Sequence, residues 1–159
     1  MTEQTLCNAM EQYGPAVYRL ALCRLQSVPD AEDVYQDVFL RLLDQDAGGW
    51  DGERLKAWLL RTTVNRCADL HRFRLRRPTV ALSELTAAPA PTETAAELWD
   101  AVARLPEKLR TAVHLHYAEG YSTGEIGALL GVPPATVRSR LRRGRLRLKD
   151  LLGGNDDEE

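Results

Sequence analysis

The run at residues 122–149, STGEIGALLGVPPATVRSRLRRGRLRLK, leaves this chain few ways to fold. Ser122 followed three residues later by Glu125 is a capping box, which predicts a short helix opening at Ser122 with Ile126, Leu129 and Leu130 as its apolar stripe. Gly131 ends that helix because it takes a left-handed position at no steric cost. Val132 supplies one buried contact in the turn, and Pro133-Pro134 starts the next helix with a preset φ. In this second helix Val137, Leu141, Gly144 and Leu148 recur at helical spacing and would pack inward. Arg138, Ser139, Arg142 and Arg143 fall on or near the opposite face.

Two helices joined by a tight turn make a helix-turn-helix, in which the first helix braces the second and the second offers guanidinium forks and a hydroxyl to guanine edges and phosphates. Seven basic residues lie between positions 138 and 149, with no acid until Asp150. A merely solvated face usually mixes signs to gain i,i+4 pairing. Like charges held this close repel unless something anionic neutralises them.

The overall net charge of −2 conceals this, because it averages unlike parts. Residues 95–152 carry ten basic and six acidic side chains, a net +4, while the terminal GGNDDEE contributes −4. The tail reads as a solubilising terminus rather than an electrostatic competitor for DNA. At the other end, MTEQTLCNAM has neither a basic leader nor a long apolar core, so the sequence predicts a cytoplasmic protein with no membrane insertion. Cys7, Cys23 and Cys67 are odd in number and widely spaced, and His71, His114 and His116 lack ligand spacing. Neither a disulfide framework, a metal site nor any other cofactor is suggested.

The first half is helical throughout. Leu6, Met10 and Tyr13 share one side of a first segment, Gly14-Pro15 is expected to break and restart the chain, and Val17, Leu20, Ala21 and Leu25 continue the period. After a turn at Pro29, Asp30 is expected to cap a helix whose core stripe is Ala31, Val34, Tyr35, Val38 and Leu42. Its outside, with Glu32, Asp33, Gln36 and Asp37, is acidic. Such a face either complements the helix dipole or docks a basic partner. Residues 45–53 hold turn formers and Trp50, and a further helix from about Arg54 to Arg77 ends in HRFRLRR. Trp58 is either a core residue, the usual fate of Trp on a helix, or joins Trp50, Arg61 and Asn65 in an aromatic and cationic platform for an unstacked base, a contact worth about 1–3 kcal/mol.

Residues 78–96 break the composition with three prolines and no basic residue, and read as a flexible linker. Beyond it Leu98, Val102 and Leu105 mark a helix ended near Pro106, and Leu109, Ala112, Val113 and His116 mark another closed at Gly120. The expected fold is all-α, with two small helical domains: residues 1–77, then the linker, then a four-helix domain at 97–152 and an acidic tail at 153–159.

Both halves resemble one family. DAEDVYQDVFLRLL is similar to region 2.2 of the group 4, extracytoplasmic-function (ECF) RNA polymerase sigma factors of the sigma-70 family, and LKAWLLRTTVNRCADLHRFRLRR to their regions 2.3 to 2.4. The stretch from LPEKLRTAVHLHYAEGYS through the helix-turn-helix to Leu152 resembles region 4. The resemblance implies that Asp33, Gln36 and Asp37 dock on the β′ clamp of bacterial core RNA polymerase, whose β subunit is also a partner. It implies that Trp58 and Asn65 line a pocket for a flipped base of the minus-ten strand, capped by the loop at residues 48–51, with Arg61 among the residues that contact that strand. Flipping costs a few kcal/mol of unstacking that the pocket must return. Arg72, Arg74, Arg76 and Arg77 would hold phosphates, and Thr136, Arg138, Ser139, Arg142 and Arg143 would read the minus-thirty-five element of promoter DNA. The resemblance also suggests an anti-sigma factor. Sigma region 3 is absent, with the linker in its place.

The implied function is binding rather than catalysis, since no Gly-rich phosphate loop and no paired nucleophile and base are present. The alternative is a stand-alone helix-turn-helix regulator, which would need a dimer interface to reach two half-sites. A third reading has the basic helix contact RNA or an acidic protein.

Overall fold

The computed structural model describes residues 2–76 and 93–153, all of whose regular elements are helical. The chain divides into two compact units, residues 1–86 and 87–159. In the first, α1 (Glu3–Leu25), α2 (Val28–Leu43) and α3 (Gly52–Arg76) pack pairwise into a bundle. In the second, α4 (Glu93–Ala103), α5 (Glu107–Val113), α6 (Thr123–Leu130) and α7 (Pro134–Leu151) surround a second core, with a π-helical turn at His114–Ala118 continuing α5.

Two expectations for the first unit are corrected. Gly14-Pro15 does not break the chain: α1 runs unbroken through Pro15. Pro15 is exposed, so its ring turns to solvent, while Ala9, Gly14, Ala16, Val17, Leu20 and Ala21 are buried around it. Burying a Leu- or Val-sized side chain is worth roughly 1.5–3 kcal/mol, so several of them offset the hydrogen bond that proline cannot donate. Gly14 itself is a close-approach site, because a Cβ there would lie 2.7 Å from the Tyr35 hydroxyl.

Nor does Asp30 cap α2. Ser27 does, its Oγ accepting from the Asp30 amide at 3.3 Å, and Pro29 sits in the first turn where no amide is required. The stripe then runs as expected through Ala31, Val34, Val38 and Leu42, with Phe39 buried beside them and Tyr35 half-buried. Glu32, Asp33 and Gln36 are exposed.

In the second unit the turn chemistry matches its residues. Ser122 Oγ accepts from the Glu125 amide at 3.1 Å and the Ser122 amide donates to Glu125 Oε1 at 2.8 Å, a complete capping box. Gly131 closes α6 at φ 73, and Pro134 opens α7. Val137, Leu141 and Gly144 are buried and Leu148 half-buried. Gly144 permits the approach of α5, since a Cβ there would lie 2.8 Å from Val113 Cγ2. Leu98 departs from its expected inward role and is 41% exposed; α4 buries Ala101 and Val102 instead, and Leu105 follows it into the core. The helix α4 also begins at Glu93, inside the stretch read as linker; residues 78–92 and 154–159 lie outside the described residues.

Candidate nucleic-acid interface

The surface of α7 is set by how α6 holds it. The α6–α7 turn is tight enough that a Cβ on Gly127 would meet the Val132 carbonyl oxygen at 2.6 Å, and both the Gly131 and Val132 amides donate to Gly127 O, at 2.8 and 3.0 Å. With Val137 and Leu141 fixed inward, Arg138, Ser139, Arg142 and Arg143 are all exposed, and Thr136 is half-buried in the first turn. No carboxylate pairs with Arg138, Arg142 or Arg143 among the described residues. An exposed run of uncompensated guanidinium groups on one helix is the electrostatic footprint of a phosphate-bearing partner.

The basic end of α3 behaves differently. Arg74 Nη2 lies 2.7 Å from Asp30 Oδ1, and Arg72 forms an ion pair with Asp69. Asp69 also holds Arg66 Nη1 at 2.7 Å. Sequence reading grouped Arg72, Arg74, Arg76 and Arg77 as one cationic cluster; the structure shows two of them already sharing carboxylates. The Arg76 side chain and Arg77 lie outside the described residues.

Trp58, Arg61 and Asn65 follow at i, i+3 and i+7 on α3, Trp58 half-buried and the other two exposed. Trp50 in the preceding loop is half-buried and lies against Trp58, with ring centroids 6.0 Å apart at 55°. The Arg54 guanidinium sits 4.4 Å above the Trp50 ring, and the Arg54 amide donates to Asp51 Oδ1 at 2.8 Å. The loop is thereby latched to the first turn of α3. Arg54 was missed by sequence reasoning, although its place four residues beyond Trp50, on a helix start, was a usable signal.

On α2, Asp33 and Gln36 are exposed and without a partner among the described residues. Asp37 is engaged: its Oδ2 accepts a hydrogen bond from Arg41 Nε at 3.1 Å and forms an ion pair with Arg66, whose Nε lies 2.5 Å away. Arg66 is a second residue that sequence reasoning missed, and a contact between separate helices leaves no periodic trace. Among the described residues no cluster of His, Cys, Asp and Glu is arranged to hold a metal, and no helix is long and apolar enough to cross a membrane.

Two helical units, one ending in a helix-turn-helix with a cationic second helix, place the chain among the helix-turn-helix proteins. The family model for sigma-70 region 2 matches residues 9–77 and that for sigma-70, region 4 matches residues 95–148. The chain is 36% identical over 141 residues to the ECF RNA polymerase sigma factor SigM of Mycobacterium tuberculosis, covering 86% of this chain and 71% of that one. It is 36% identical over 160 residues to the ECF RNA polymerase sigma factor SigE of Mycolicibacterium smegmatis, where it spans 94% of its own length and 62% of the relative's. The sigma factor RpoE of Bartonella quintana, solved in complex with the anti-sigma factor NepR, superposes with a TM-score of 0.82 at 25% identity, over 96% of this chain and 99% of that one. CnrH, solved with the cytosolic domain of CnrY, gives a TM-score of 0.69 at 25% identity over 97% and 91%. The chain belongs to the ECF RNA polymerase sigma factors.

Proposed function

We propose that this chain binds bacterial core RNA polymerase and directs promoter-specific initiation, with α7 reading the upstream duplex element and the α3 face capturing the opened minus-ten strand. The observation that carries the reading is the contrast between the two basic helices. Arg138, Arg142 and Arg143 stand exposed with no carboxylate among the described residues, as duplex recognition requires, whereas Arg72 and Arg74 are tied to acids. Nearer the start of α3, Trp58, Arg61 and Asn65 supply stacking and hydrogen bonding of the kind an unstacked base needs. In this proposal Thr136, Arg138, Ser139, Arg142 and Arg143 contact the upstream element, each good bidentate base contact discriminating by about 1–3 kcal/mol. Arg72, Arg74, Arg76 and Arg77 are assigned to the strand backbone, Arg72 and Arg74 through the N–H donors that Asp69 and Asp30 leave unused.

The polymerase contact is assigned to the exposed Asp33 and Gln36 with Asp37, on the β′ clamp, with β as the neighbouring subunit. Arg66 holds Asp37 in place from α3. The site of action is the cytoplasm, where polymerase and chromosome meet, and the work is binding rather than catalysis. Because RpoE was solved with the anti-sigma factor NepR, an anti-sigma partner is part of the proposal. Run-off transcription from a library of promoter fragments with bacterial core polymerase tests it: initiation at a recurrent two-part sequence supports the reading, and no gain over core alone rejects it.

A further inference from the structure

We propose that Tyr117 and Arg145 together form a phosphate-binding site for promoter DNA beside the reading face of α7, a contact separate from the base-reading residues. The inference rests on the reading of α7 as the duplex-binding helix. Its starting point is the π-helical turn His114–Ala118. Within that turn His114 and Leu115 are buried at 5% and 0%, while Tyr117 is turned out to 56% exposure, so core packing does not account for its orientation. Turns of this kind are uncommon and recur at functional positions.

Exposed as it is, the ring is braced. His116 stands edge-on to it with centroids 4.7 Å apart at 85°, and His116 Nδ1 is itself 2.8 Å from the Tyr121 carbonyl oxygen. The Tyr117 hydroxyl accepts from Arg145 Nη1 at 3.1 Å, a bond that bridges 28 positions of sequence. A phenol that accepts from a guanidinium has its own O–H proton left to donate, and the guanidinium keeps four further N–H donors. The pair therefore presents neighbouring donors and one positive charge, with no carboxylate on Arg145 among the described residues to neutralise it. That is the chemistry of a phosphate oxygen site.

The position fits the use. Arg145 follows Arg138 by seven residues, which places it within about 20° of the same azimuth on α7 and about 10 Å further along the axis. If Arg138 faces the duplex, Arg145 lies along the same flank. Phosphate contacts of this sort position a helix in the groove without carrying sequence information. A hydrogen bond that merely stitched α7 to the π-turn would stabilise the domain and leave DNA affinity and its salt dependence unchanged.

The test uses the full chain bound to core polymerase, on duplex fragments carrying the preferred upstream element or a scrambled one, titrated from about 50 to 200 mM salt. Arg145→Ala is expected to reduce the slope of log affinity against log salt by about 0.9, which is roughly a three- to fourfold loss of salt dependence over that range. It should leave the ratio between preferred and scrambled fragments unchanged. Tyr117→Phe, which keeps the ring, is expected to weaken both fragments about threefold and equally, and Arg145→Lys to retain the wild-type slope. An unchanged slope in Arg145→Ala overturns the site, as does unchanged affinity in Tyr117→Phe. If the wild-type complex does not distinguish the two fragments, the reading of α7 fails and takes this site with it. If it does distinguish them and only the slope is unmoved, this site alone falls.

Discussion

The Asp30 carboxylate on α2 meets the Arg74 guanidinium on α3 at 2.7 Å, across 44 residues of sequence. The partners are unequally placed: the Asp30 side chain is 13% exposed and that of Arg74 50%. A carboxylate this far from water depends on its partner more than the half-solvated guanidinium does. Removing Arg74 therefore costs more than removing Asp30. Arg74→Ala is expected to destabilise the first unit by about 1–2 kcal/mol, and adding Asp30→Ala to recover part of that loss. Urea unfolding of the three variants reads the asymmetry; equal losses from the two single variants would count against it.

Pro15 sits in the middle of α1 with its ring in solvent. Alanine there restores an amide donor to the helix and removes the clash with the preceding turn, against some regained freedom in the unfolded chain. Pro15→Ala is expected to stabilise the protein by about 1 kcal/mol, which for a small domain raises the midpoint of thermal melting by roughly 4–8 °C. A lower midpoint would show that the proline is shaping the helix for its packing.

Gly127 faces backbone rather than a flexible side chain, since a Cβ would lie 2.6 Å from the Val132 carbonyl oxygen. The turn that sets α7 must open to admit it. Gly127→Ala is expected to cost about 1–3 kcal/mol and to weaken upstream-element selectivity together with stability, as followed by thermal melting and by binding to the preferred fragment. Wild-type stability in this variant would mean that the turn yields without strain.

Ser122 supplies one half of the capping box of α6 and Glu125 the other. Ser122→Ala is expected to lose about 1 kcal/mol of stability, and Ser122→Asp, which keeps an acceptor at the cap, to lose much less. Chemical denaturation distinguishes the two.

These features differ in how plainly the residues announce them. The α6–α7 unit is legible because its signals are local: a capping box, a glycine that takes positive φ, a proline at a helix start and an apolar period all act within a few residues. The alignment of Trp58, Arg61 and Asn65 on one face of α3 is legible for the same reason, from spacing alone. Pro15 misleads because a local breaker is overridden by packing from α2 and α3, which the local sequence does not display. Asp30 resembles a cap by type and place, but Ser27, three residues earlier, is the acceptor that the first turn of α2 uses. The Asp30–Arg74 and Asp37–Arg66 pairs join residues on different helices and have no periodic signature, so α3 looked more uniformly cationic than it is. The π-turn that turns Tyr117 outward was hidden too, since a single inserted residue in a helix carries no marker in composition.

The central claim is a division of labour, with α7 selecting the upstream element and α3 opening the minus-ten strand. Run-off transcription combined with permanganate footprinting of the opened strand, on the wild type and on the Arg138→Ala/Arg143→Ala and Trp58→Ala/Asn65→Ala double variants, measures it most directly. The account predicts that the first pair loses discrimination among upstream elements by about one and a half to four orders of magnitude, at about 1–3 kcal/mol for each of two lost base contacts, while still opening strands at whatever sites it reaches. It predicts that the second pair keeps that discrimination and loses the footprint. Loss of both properties in both variants, or retention of both in either, would contradict it.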